Sequence, residues 1–136
     1  MIFIDTSAVV ALCYHRDALH RRAVADLGKL ARKPILLLDS VLTESFFFLK
    51  SPALRSRLQD LAVELPLPTW SPVAPYFYRA EVFAWLKRYA EHEPDWTDGA
   101  IIVSCTCRKT ARVWTYDSEF RKIWRLPNGS AVPMAV

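Results

Sequence analysis

Glycine is scarce in this sequence, at 3 residues in 136. With no internal repeat and no low-complexity run, that scarcity argues against a fibrous or disordered chain. Long apolar runs are also missing: no stretch approaches the ~18 uninterrupted apolar residues that suggest a membrane span. Residues 1–14 are apolar, but they have no basic head and Asp5 interrupts them, so no secretory signal is expected there. The three cysteines, Cys13, Cys105 and Cys107, are odd in number and lack zinc-type spacing. They read as reduced, largely buried thiols, and the expected location is cytoplasmic, with no membrane partner. Charge of one sign is only modestly in excess, at +4 with a pI near 9.1. That permits a polyanionic partner without requiring one.

What is present is a large apolar share, 52%, including five Trp and seven Phe. That supplies one well-packed interior, and a division into two would leave each half short of a core. We therefore expect a single domain over residues 1–136. Residues 2–4 form a short apolar run that predicts a buried strand, and residues 8–14 a helix opened by Asp5-Thr6-Ser7. A second helix is predicted over 18–31 and a strand over 35–38. Asp39 or Ser40 should cap a helix running to about Lys50, and Ser51-Pro52 should start another. A short strand at 63–65 and an irregular link around Pro66, Pro68 and Pro72 follow. Residues 75–91 predict a long helix with Ala80, Phe83, Leu86 and Ala90 inward, and 96–109 a further helix. A strand over 112–115, a short helix opened by Asp117 and an edge strand at 131–134 complete the pattern. Strands separated by helices imply an α/β fold, a three-layer α/β/α sandwich around a mostly parallel sheet.

Three acids, Asp5, Asp39 and Asp117, fall where predicted strands turn into helices. In a parallel sheet those junctions share the carboxyl edge, where ligands bind. Each aspartate alone also reads as an ordinary N-cap, and Asp95 with Asp98 resembles a capping box. Glu44 lies within a helix, where a cap does not explain it and a solvated surface residue is the plain alternative. Carboxylates gathered at one edge repel one another unless a cation is present. Hard oxygen donors without a His or Cys cluster favour Mg²⁺, or Mn²⁺, over zinc. That donor set suits metal-assisted phosphodiester hydrolysis.

Four motifs occur in an order that resembles the PIN-domain nucleases. They are Ile4-Asp5-Thr6-Ser7, the stretch ending in Thr43-Glu44, Trp96-Thr97-Asp98-Gly99-Ala100, and Thr115-Tyr116-Asp117 followed by Phe120. The likeness covers nearly the whole chain and is nearest to the short VapC-type toxins, which also share the Asp17-Ala18-Leu19-His20 stretch. It implies that Asp5, Glu44, Asp98 and Asp117 are the catalytic metal ligands. Ser7 and Thr115 would orient those carboxylates, and Asp95 is an extra acid near the site that also reads as a cap. The implied activity is Mg²⁺-dependent cleavage of RNA by metal-activated water, with a cognate antitoxin and a homodimer as partners. Gly99 stands where Ala or Cys is common.

Because an acidic site repels RNA, flanking cations are needed. Arg108, Lys109, Arg112, Arg121, Lys122 and Arg125 surround the last two motifs and are the candidates, although each also reads as part of a solvated face. Phe46, Phe47 and Phe48 diverge around their helix, and with Leu54 and Leu58 they form a candidate partner groove, or else a thick local core. Other readings are a PIN nuclease of RNA processing, a catalytically silent PIN domain, a haloacid-dehalogenase-like phosphatase and a receiver-like module. The phosphatase expects a second Asp where this chain has Ser7, and the receiver expects paired acids and a late Lys.

Overall fold

In the computed structural model, residues 1–65 and 75–136 are described. The expected link at Pro66, Pro68 and Pro72 lies outside them. Three strands form one parallel sheet in the order β2-β1-β3: β1 Ile2–Ile4, β2 Ile35–Leu36 and β3 Arg112–Trp114. Among the described residues there are seven α-helices, giving the expected three-layer α/β/α arrangement. These are α1 Thr6–Cys13, α2 His20–Leu30, α3 Asp39–Phe48, α4 Pro52–Glu64, α5 Pro75–Arg88, α6 Trp96–Cys105 and α7 Glu119–Lys122. No helix among the described residues is long and apolar enough to cross a membrane.

The central strand explains its own sequence. Ile2, Phe3 and Ile4 are wholly buried because β1 is paired on both edges and covered on both faces. Val113 and Trp114 of β3 are equally buried, as are Val9 of α1 and Ile101 and Ile102 of α6. The expected edge strand at 131–134 is reduced to two isolated bridges, Val113 with Met134 in parallel and Arg125 with Ala131 antiparallel. Pro133 sits in that segment and has no N–H to donate to a ladder, although its carbonyl accepts Val113 N–H at 2.8 Å.

Other expectations shift. Residues 63–65 are not a strand: Val63 and Glu64 complete α4, and Leu65 caps it. The carbonyl of Leu61 accepts the Leu65 N–H at 2.9 Å, so helical hydrogen bonding continues to that point. Helix α3 begins at Asp39 itself, with Leu38 as N-cap and no side-chain cap bond. Helix α6 ends at Cys105 rather than 109, and the long helix over 75–91 is α5 followed by a 3₁₀ turn, Ala90–His92. The inward stripe of α5 is also displaced. Val82 and Trp85 are buried, whereas Phe83 is 63% exposed and rests edge-on against Trp96.

Gly99 explains the displacement. A β-carbon there would lie 2.9 Å from Val82 Cγ1 and 3.3 Å from Trp85 Cε3. Glycine thus lets α5 press onto α6 along the Val82–Trp85 stripe. The close approach that Gly99 allows is between two helices of the core.

Candidate active site

The carboxyl ends of β1 and β3 lie side by side, and Asp5 N–H donates to the Trp114 carbonyl at 2.9 Å. Asp5 therefore ends its strand beside the chain that leads to Asp117. It is 5% exposed and serves as N-cap of α1. Ser7 Oγ donates to Asp5 Oδ2 at 2.8 Å, and Thr115 Oγ1 donates to the same oxygen at 2.7 Å. Ser7 Oγ also accepts the Tyr116 N–H at 2.9 Å, and Thr115 Oγ1 accepts the Asp117 N–H at 2.9 Å. Two hydroxyls thereby lock two acids from opposite ends of the sequence into one rigid unit. Asp117 Oδ1 accepts the Glu119 N–H at the start of α7, although Ser118 is the N-cap.

Glu44 projects from α3, and its Oε2 accepts the Thr6 hydroxyl at 2.5 Å. Asp95 and Asp98 form the reciprocal capping box: Asp98 N–H donates to Asp95 Oδ1 at 2.9 Å, and Asp95 N–H to Asp98 Oδ2 at 3.2 Å. All five acids line one open cleft of about 510 Å³, together with Thr6, Ser7, Asp17, Glu93 and Glu119. Asp39, the remaining junction acid of the sequence, is exposed and does not line it.

The electrostatics of the cleft follow first from burial and then from the closeness of the acids. Burial raises the Asp5 carboxyl above its ordinary value, against the hydrogen bonds from Thr115 and Ser7. Burial first, then the Asp95 and Asp5 charges, push Glu44 up to about 7, with Thr6 opposing. Asp98 rises to about 8 through burial, the adjacent Asp95 charge and weaker repulsion from Asp5 and Asp117. Among the described residues no Lys or Arg lines the cleft, and His92 is its one basic side chain. The donors are all hard oxygens in a site that lacks cationic charge, which fits a divalent ion of the Mg²⁺ type. Among the described residues no three of these groups already close around a single point. The fit is one of donor chemistry and charge.

A family model described as the PIN domain matches residues 2–126. The chain belongs to the PIN-domain family. Among curated proteins nothing matches. Among solved structures, this PIN domain is similar to the Mycobacterium tuberculosis VapC20, described as a Sarcin-Ricin loop cleaving toxin. The two are 23% identical with a TM-score of 0.67, over 88% of this chain and 92% of that one. At that identity the likeness concerns the fold.

The structure brings the sequence candidates Asp5, Glu44, Asp95, Asp98 and Asp117 to one cleft of this PIN domain, with Ser7 and Thr115 on Asp5. Thr6 was not among the sequence candidates, and its only sequence signal is its place in the Asp5-Thr6-Ser7 turn. Nor was Glu93, which adopts a left-handed backbone at φ 51° at the cleft and has no sequence signal. None of the six cation candidates lines the cleft. Arg112 opens β3 and pairs with Ile2, so it and the preceding Arg108 and Lys109 approach the sheet from its amino edge. Arg121 donates to the Val136 carbonyl, and Arg125 to the carbonyls of Arg121 and Trp124. Of the candidate groove, Phe46, Phe47 and Phe48 are exposed, Leu54 is half-buried and Leu58 belongs to the core. Phe48 also reaches the rim of the acidic cleft.

Proposed function

We propose that this PIN domain is a Mg²⁺-dependent endoribonuclease, with Mn²⁺ as an alternative metal. The observation that carries the reading is the meeting of Asp5, Glu44, Asp98 and Asp117 in a cleft lined by no Lys or Arg among the described residues. Those four side chains would hold the metal. When bound, a divalent ion neutralises a scissile phosphate and lowers the pKa of water for attack on phosphorus. The chain's own residues do the positioning. Ser7 and Thr115 fix the Asp5 oxygen that they share, and Thr6 fixes Glu44. Asp95 orders the first turn of α6 and with it Asp98.

The fold shared with a solved VapC toxin supports the narrower reading that this chain is the toxin of a toxin–antitoxin pair. In that reading the exposed Phe46–Phe48 run meets a cognate antitoxin or a second copy of the chain, and the working form is a homodimer.

Asparagine caps a helix about as well as aspartate but carries no charge. Asp5→Asn and Asp117→Asn should therefore fold and lose Mg²⁺-dependent RNA cleavage by more than about a hundredfold. Full Mg²⁺-dependent cleavage by folded Asp5→Asn protein would overturn the assignment.

A further inference from the structure

The acidic cleft suits a metal better than an RNA chain, since among the described residues no Lys or Arg lines it. The strand must be gripped nearby. Arg22 is a cation joined to the segment that carries Thr115 and Asp117. Its guanidinium carbon lies 5.1 Å from the centre of the Tyr116 ring, and Tyr116 is the residue between Thr115 and Asp117. Leu19 lines the cleft, and Arg22 follows three residues later, about 5 Å further along α2.

A buried acid holds this arrangement in place. Asp26 is 6% exposed, and its Oδ2 accepts the Tyr116 hydroxyl at 2.9 Å. The Trp114 indole N–H donates to that hydroxyl at 3.1 Å. Arg22 Nε lies 3.7 Å from the same Asp26 oxygen, within ion-pair range but beyond a hydrogen bond. The Arg22 side chain is 59% exposed. Tyrosine below and a buried carboxylate behind therefore steer the guanidinium without saturating it. An arginine so held presents a planar fork suited to a phosphodiester and loses little freedom on binding it.

We propose that Arg22 is an RNA phosphate anchor flanking the acidic cleft, with Asp26 and Tyr116 as its positioning residues. This rests on the ribonuclease reading above. An RNA strand would run from the cleft across the Tyr116 loop onto the first turn of α2.

The test measures binding of a mixed-sequence single-stranded RNA across a salt series. Every variant carries Asp5→Asn so that the RNA survives, and the parent chain is assayed separately for Mg²⁺-dependent cleavage. Arg22→Gln should weaken binding roughly tenfold and lower the slope of log affinity against log salt by about one. Arg32→Gln, beyond the far end of α2, should change neither. Should Arg22→Gln lower the melting temperature, Arg22→Met keeps the stem over Tyr116 and is judged by the same two readouts. An unchanged affinity, or a weaker affinity with an unchanged salt slope, would overturn the anchor while leaving the nuclease in place. A parent chain that neither binds nor cleaves RNA overturns both.

Discussion

The hydroxyl of Thr6 donates to the carboxylate of Glu44 at 2.5 Å, joining the first turn of α1 to α3 across 38 residues. Among the described residues it is the one hydrogen bond on Glu44 that favours the ionised form; the contact with Asp95 raises its pKa. Thr6→Val keeps the shape and removes the donor. The Glu44 pKa should rise further, and RNA cleavage or Mg²⁺ affinity should fall by roughly 10- to 100-fold, as when a partner that orients a metal ligand is lost. Steady-state cleavage against Mg²⁺ concentration checks this, and a variant matching the parent would remove Thr6 from the site.

Asp98 and Glu44 make the metal-free protein sensitive to base. Their folded pKa values, about 8 and about 7, stand above the ordinary 3.8 and 4.5. Raised carboxyl pKa values mean that the folded state holds protons more tightly than the unfolded state. The stabilisation is complete below about pH 4 and is lost as pH rises through 7 to 8. In a chelator the melting temperature should fall across that range. Mg²⁺ at about a hundred times its Kd should restore about 2.7 kcal/mol, and more readily at the alkaline end where the ligands are ionised. Asp98→Asn should flatten the metal-free decline. A chelated protein whose melting temperature rises from pH 6 to 9 would contradict the assignment.

Gly99→Ala opposes two effects. Alanine is better in a helix by about 1 kcal/mol. Its methyl would meet Val82 Cγ1 at 2.9 Å, however, and Val82 is itself buried. Overpacking of that kind costs about 1–3 kcal/mol. The net expectation is a loss of about 1 kcal/mol, seen as a melting temperature lower by a few degrees. A more stable variant would show that α5 can step back from α6.

Phe47 is 67% exposed and offers its ring outward from the end of α3. If that run meets a second copy, Phe47→Ser should shift the purified protein from dimer to monomer in light scattering. The melting temperature of the monomer should stay within about 0.5 kcal/mol equivalent, as for an ordinary surface substitution. An unaltered dimer would place the contact elsewhere.

Much of the fold and of the cleft was legible because local chemistry and position agreed. An apolar triplet ending in Asp5 is a buried strand with a cap under almost any packing, and Thr115-Tyr116-Asp117 has the same logic. The inward face of α5 was not legible, since Phe77, Val82, Phe83, Trp85 and Leu86 leave no clean apolar stripe around the helix. The place of the candidate cations relative to the cleft was not legible either. Arg112 is near Asp117 in sequence, but it opens β3 and so lies a strand's length from the carboxyl edge.

By itself, then, the sequence determined an α/β chain, the strand-to-helix junctions and the acids standing at them. These depend on hydrophobic period and capping, which act over a few residues. Tertiary structure alone decided that Thr6 holds Glu44 and that Ser7 and Thr115 share one oxygen of Asp5. It also decided that Gly99 selects the buried stripe of α5. Such choices depend on which surfaces meet at contact distance. A hydrogen bond or a methyl clash is set within a few tenths of an ångström, a scale that residue order along the chain does not encode locally.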